Sequence, residues 1–214
     1  MDIYVLESFI SFCDDMMIVN EGVTFPNEIL PRLSKNPDLI DSYEKEYENF
    51  FNKFSNIPIG QGKVTKSIRD NTGRLLITKH AFDMHSQMSL SNLSREETYG
   101  SKGKEPIVSY YSSNKMLKGV VKALLKSNKN RILNFLYSRE STFQIDGTFR
   151  EFVGYGFYND EKYQFKCARV VLEKDFYTGE IFVKTTYPIP YIGYNKRDLE
   201  KEGALDVPTV MKLE

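Results

Sequence analysis

The chain has 214 residues, 41% hydrophobic and 27% charged, with no Trp and with 29 acidic side chains against 29 basic ones. This composition fits one or two globular domains and excludes collagen-like or low-complexity chains. No apolar run approaches the roughly 18 residues of a membrane-spanning helix. Two cysteines, Cys13 and Cys167, form neither a CxxC pair nor a disulfide framework, and both read as buried thiols. The zero net charge hides a division: residues 1–60 sum to −7, residues 61–195 to +8 and residues 196–214 to −1. The expected organisation is an acidic helical N-terminal region over 1–60, a candidate delivery or docking segment, then a basic domain over 61–195 and a C-terminal tail over 196–214. A basic body can attract a polyanion such as RNA.

In chain order, "IYVLESFISFCDDMMIV" (3–19) predicts a mostly buried helix. The opening has neither the basic region nor the small-residue cleavage site of a signal peptide. Pro26, Pro31 and Pro37 then predict turns. Residues 38–54 place Leu39, Tyr43, Tyr47, Phe50, Phe51 and Phe54 at helical spacing, with Asp38 or Asp41 as a cap. "NIPIGQGKVTKSIRDNTG" reads as a linker or hairpin. "RLLITKHAFDMHSQM" predicts a helix carrying Leu76, Ile77, His80, Ala81, Met84, His85 and Met88. Residues 112–136 give the clearest helix, with a stripe at Met116, Leu117, Val120, Val121, Leu124, Leu125, Ile132 and Phe135 and a break near Ser127–Asn130. From residue 141 the pattern changes to β-branched and aromatic strands, with turns expected at Asp146–Gly147, Asn159–Asp160 and Tyr177–Gly179 in an antiparallel meander. Helices first and strands later indicate an α+β fold.

His80 and His85 are the chain's two histidines. Five residues apart on a helix, they point about 140° apart and do not share a face. That spacing disfavours a two-histidine metal site, which uses i, i+4. No GxSxG elbow and no GK[ST] phosphate loop is present. RNA cleavage asks for less. The 2′-hydroxyl is the nucleophile, so the protein must supply a base, an acid and a donor or cation for the phosphorane charge. One histidine, an arginine with its bidentate fork and a few hydroxyls meet that need, with no metal or other cofactor. Thr185 and Tyr187 alternate with Lys184 and Thr186 along a predicted strand, so the first two share a face. Lys115, Lys118 and Lys122 belong to the solvated side of the long helix, where they could also guide RNA. A non-catalytic RNA-binding or protein-interaction module, using the Tyr- and Phe-rich strands as a stacking surface, is the alternative.

The ordered set "KHAFDMH", "LSR", "IVSYYSSNKMLKGVVKALLKSNKNRILNFL", "EFVGYGF", "ARVVLEKDFYTGEIFV" and "KTTYPI" resembles the bacterial ribonuclease A-like toxin domain at the C-terminal tips of contact-dependent growth inhibition proteins. The resemblance covers about residues 75–190. It implies helices followed by a twisted, kidney-shaped antiparallel sheet and a metal-independent endoribonuclease. It also implies release from a larger secreted or cell-surface protein into a target cell's cytoplasm, and a cognate immunity protein that blocks the site. Carried onto this chain, it implies His85 as the catalytic histidine, Arg95 as the phosphate-binding arginine, and Thr185 and Tyr187 as phosphate-binding hydroxyls. His80 is left as a supporting residue or, with Tyr187, a candidate second proton-transfer group.

Overall fold

The computed structural model describes residues 17–18, 37–57, 67–85, 107–159, 161–175, 177–201 and 203–214. Strand β1 (Met17–Ile18) is followed by helix α1 (Pro37–Ser55), strands β2 (Ile68–Arg69) and β3 (Leu75–Ile77), and helix α2 (Lys79–His85). Strand β4 (Val108–Tyr111) leads into helices α3 (Asn114–Ser127) and α4 (Lys129–Tyr137). Strands β5 (Thr142–Phe149), β6 (Gly154–Tyr158), β7 (Glu161–Phe165), β8 (Cys167–Lys174) and β9 (Ile181–Ile189) precede a 3-10 turn (Lys196–Glu200) and strand β10 (Val210–Lys212). The architecture is α+β, as the order of patterns implied.

The helices form where the apolar spacing puts them. In α1, Tyr47, Phe50 and Phe54 are buried, and Asp38 lies in the first turn, where it suits the helix dipole. Ser113 caps α3 by accepting from Met116 N–H at 2.9 Å. Leu117, Val120, Val121, Leu124 and Leu125 are all fully buried. Each such aliphatic side chain contributes on the order of 2 kcal/mol of apolar burial. The expected break falls at Asn128, between α3 and α4. Helix α1 shares the buried cluster with α3, α4 and the core face of β8. The Tyr47 hydroxyl donates to Leu125 O at 2.9 Å and fastens α1 to α3.

The strands do not form one meander. Among the described residues they form two sheets: a six-stranded one in the order β1-β5-β8-β9-β3-β2, and a four-stranded one in the order β10-β7-β6-β4. The strand-forming run over 163–176 is divided at Lys166, and its halves, β7 and β8, enter different sheets. Asp146–Gly147, expected as a turn, lies within β5, paired opposite Arg169 and Ala168. The reason is a crossing: a Cβ at residue 147 would come 2.2 Å from Leu124 Cδ2, so glycine is there for the close passage of α3. The expected turn at Tyr177–Gly179 is present, with Gly179 at φ +72°. Asn159, at φ +50°, turns β6 into β7.

Three other expectations change. Leu75–Ile77 is a strand, not the start of a helix, because Ile77 pairs parallel with Val183 of β9. The helix begins only at Lys79. Met17 and Ile18, within the expected first helix, instead pair with Phe149 and Thr148 at the sheet edge. The rest of that helix, the proline-rich segment before Pro37, and residues 86–106, with Arg95, lie outside the described residues. Cys167 is buried, and burial raises its thiol pKa. Among the described residues no helix is long and apolar enough to cross a membrane.

Candidate active site

Strand β9 carries the two hydroxyl residues, and its registers define the face they occupy. Tyr187 lies opposite Arg169 on β8, and Thr185 opposite Val171. Arg169 in turn lies opposite Asp146 on β5. Alternation therefore puts Asp146, Arg169, Tyr187, Val171 and Thr185 on one face. The other face of β8 and β9 packs Ala168, Val170, Leu172 and Val183 into the core. Thr186, fully buried on that side, hydrogen-bonds the Tyr111 hydroxyl at 2.5 Å and so ties β9 to β4 of the second sheet.

The ladder between β8 and β9 shifts register between Val171 and Leu172. Lys184 is the extra residue, between Val183 opposite Leu172 and Thr185 opposite Val171. It ion-pairs with Glu173, whose alternation puts it on the face of Arg169. Lys184 thus joins the Thr185–Tyr187 face, whereas simple alternation would have sent it to the opposite side. A bulge places two consecutive residues against one partner and suspends the period of two.

Helix α2 packs along β9. Thr78 makes the joint: its N–H donates to Val183 O at 3.0 Å and its hydroxyl to Lys184 O. Thr78 Oγ1 in turn accepts weakly from Ala81 N–H at 3.4 Å, capping the helix. Ala81 and Phe82 enter the core, while His80 is exposed in the first turn. The helix ends at His85, so the backbone of the expected catalytic histidine is on an element that packs against β9, the strand of Thr185 and Tyr187.

Thr185 Oγ1 is buried and has no hydrogen-bond partner among the described residues. An unsatisfied buried hydroxyl costs about 1–3 kcal/mol, and such a group calls for a reason. Arg169 is a buried cation of this face, 8% exposed, whereas Lys184 is exposed. Its Nε and one terminal nitrogen donate to the two Asp146 carboxylate oxygens at 2.7 and 2.8 Å, and it also donates to Tyr194 O at 3.0 Å. Burial works against its charge. The hydrogen-bonded Asp146 carboxylate, with Tyr187 adding, more than offsets this and holds the guanidinium above the ordinary arginine value. Gly193 N–H donates to the same carboxylate at 2.9 Å, so the turn after β9 is fastened to the sheet here.

Of the residues expected from sequence, Thr185 and Tyr187 therefore share a face with α2 alongside. Asp146, Arg169 and Lys184 were not singled out. Arg169 had a signal, an arginine alone in the apolar strand run "CARVVL". Asp146 was hidden by reading Asp-Gly as a turn, and Lys184 by the bulge.

Lys118 departs from the solvated face expected for it. It is 2% exposed, and its Nζ donates to Ile57 O at the end of α1. The apolar stripe of α3 is wide enough to take it in beneath α1, so it cannot reach RNA. Lys115 and Lys122 are half-buried. Burial, with Lys122 adding, pushes the Lys118 pKa down to about 8. Between about pH 8 and the ordinary lysine value the unfolded chain then binds more protons than the folded one, so this group makes stability rise with pH. Below pH 8 its burial penalty is present in full. Denaturant unfolding of the parent and of Lys118→Met should show the parent gaining relative to the variant from pH 8 to pH 10. A pH-independent difference would contradict the assignment.

A family model described as the bacterial CdiA-CT RNAse A domain matches residues 79–188, more than half of the chain. The chain belongs to this family. The matched span contains His80, His85, Arg95, Thr185 and Tyr187, and also Asp146 and Arg169. The CdiA-CT RNase A domain is also similar to a crystal structure of a CdiA-CT/CdiI complex from Y. kristensenii 33638, with 19% identity and a TM-score of 0.46. That match covers 52% of this chain and 99% of the other. No curated protein sequence matches the chain.

Proposed function

We propose that this CdiA-CT RNase A domain is a metal-independent endoribonuclease toxin, with His85, Arg95, Thr185 and Tyr187 as its site. Family membership supports the ribonuclease class. The observation that carries the site is the seating of α2, which ends at His85, along the strand that presents Thr185 and Tyr187 on one face.

In this reading the reaction is a transphosphorylation. A base removes the 2′-hydroxyl proton, the oxygen attacks the adjacent phosphorus, and the 5′-oxygen leaves with a proton from an acid. The product ends in a 2′,3′-cyclic phosphate. His85 serves as base or acid, and Tyr187 or His80 supplies the second proton transfer. Arg95 neutralises the phosphate. Thr185, whose buried oxygen has no partner among the described residues, donates to a non-bridging oxygen and so satisfies it. Lys115 and Lys122 guide the polyanion. The domain acts in the cytoplasm of a target cell after delivery from a larger protein. An immunity protein covers the site in the producing cell, as the CdiI partner of the similar structure suggests.

Incubating a defined RNA with the purified chain in EDTA tests the reading. Fragments ending in a 2′,3′-cyclic phosphate are the expected result. Intact RNA, or cleavage that EDTA abolishes and a divalent ion restores, would overturn it.

A further inference from the structure

The face that carries Thr185 and Tyr187 is closed at one end. Gly193 N–H donates to Asp146 at 2.9 Å, and Tyr194 O accepts from Arg169 at 3.0 Å. Tyr187 packs against the small cluster of Cys167, Ile189, Tyr194 and Leu199. The segment after β9 thus lies against the Asp146–Arg169–Tyr187 end, and the Arg169 fork is committed to Asp146 and Tyr194 O. The other end is open. Thr142 and Gln144 of β5, opposite Glu173 and Val171, are exposed. Lys184 stands toward this end, with a side chain 50% exposed.

The bulge is what brings Lys184 there. Strict alternation from Thr185 would turn it to the core side, among Val170, Leu172 and Val183, where an unpaired ammonium is costly. Bulges recur beside active sites because they re-aim a side chain in this way. The bulge is held through the backbone: Thr78 donates from its N–H to Val183 O and from its hydroxyl to Lys184 O. The ammonium is left to pair with Glu173, and such a surface pair adds little to stability. On β8, Arg169 lies opposite Tyr187, Val171 opposite Thr185, and Glu173 one step further, opposite Phe182. In reaching Glu173, Lys184 leans away from Tyr187 and toward the open end of the face. We propose that Lys184 binds the RNA phosphate next to the scissile one, with Glu173 as the counter-ion it gives up when RNA arrives. The proposal rests on the ribonuclease reading above, in which Thr185 meets the scissile phosphate. An RNA strand held there leaves across the open end, past the residue that precedes Thr185.

Two measurements on the full chain test this. Fluorescence anisotropy reads binding to a single-stranded DNA, which lacks the 2′-hydroxyl and so binds without being cleaved. Steady-state cleavage of an RNA of the same sequence gives kcat and KM. For a single strand, each phosphate contact contributes about 0.7 to the slope of log affinity against log salt. Lys184→Gln should reduce that slope by about one such contact and weaken binding by about fivefold, the upper range for one exposed charge pair. With RNA it should raise KM by a similar factor and leave kcat within about twofold, as for a contact made equally in the ground and transition states. Lys184→Arg, which keeps the charge, should restore parent values. Glu173→Gln should tighten binding in the parent and have almost no effect in the Lys184→Gln background, since the carboxylate acts through the lysine. An unchanged salt slope in Lys184→Gln overturns the proposal. So does a loss confined to kcat, or a Glu173→Gln effect that is equal in both backgrounds. RNA left intact by the parent chain overturns the ribonuclease reading instead, and the salt slope with DNA then still decides whether Lys184 meets a phosphate.

Discussion

RNA cleavage should fall by about 10² to 10⁴-fold in His85→Ala, the range for removing a general acid or base from a reaction at neutral pH. The histidine ends α2, a helix of seven residues, and α2 is held from its other end. Thr78 fastens the helix start to Val183 O and Lys184 O, and Ala81 and Phe82 enter the core. Truncating the last residue leaves those attachments in place, so the loss should appear in kcat with little change in thermal unfolding. His80→Ala is the informative companion. His80 is exposed in the first turn of the helix. A loss under about tenfold would make it a supporting residue, and a loss equal to that of His85 would make it the second proton-transfer group. Single-turnover cleavage of a short RNA separates these outcomes. An undiminished rate in His85→Ala would remove the histidine from the mechanism.

Gly154→Val is expected to have the largest effect on stability. Gly154 of β6 lies opposite Tyr111 of β4, where the second sheet meets β9. A Cβ there would lie 2.4 Å from Tyr110 O, 2.5 Å from Pro188 Cγ and 3.1 Å from Tyr111 Cα. Two of those atoms are backbone and the third belongs to a rigid ring, so no flexible side chain can yield. Overpacking of this kind costs about 3 kcal/mol, which for a chain of this size is roughly a 10 °C fall in thermal midpoint. Pro188 directly follows Tyr187 in the sequence, so a chain that relieved the clash by moving β9 would also displace the site, and RNA cleavage should fall with stability. Gly179→Ala is the control. Nothing lies within 4 Å of its Cβ position, and only its φ of +72° opposes a side chain, a cost of about 1 kcal/mol. Equal midpoints for the two variants would refute the close-approach argument.

Local pattern was enough for the helices that pack one stripe against the core. Periodicity named Tyr47, Phe50 and Phe54 in α1 and Leu117 to Leu125 in α3, because a helix face is fixed by residues three and four apart. The order of helical and strand patterns along the chain named the α+β class. The five-residue spacing of His80 and His85 is enough to give the two histidines different faces of a helix. Alternation put Thr185 and Tyr187 together, as the β8–β9 register does. The ordered motifs led to the same family that matches residues 79–188.

The remainder depended on which segments meet across the chain, and that is not a local property. Asp146–Gly147 has the composition of a tight turn, but Leu124 crosses Gly147 and Arg169 lies opposite Asp146, so the pair stays in a strand. Leu75 to Ile77 has the look of a helix start, but Val183, more than a hundred residues later, claims Ile77 as a strand partner. Lys118 has the look of a surface lysine until α1 covers it and offers it Ile57 O. Lys184 changes face because a bulge interrupts the alternation. The sequence by itself determined which residue types were present for chemistry and which helix stripes were apolar, since both follow from neighbours along the chain. Only the tertiary structure decided that Arg169 and Asp146 stand beside Tyr187, because a buried charge can stay in a sheet only where the fold brings it an opposite one.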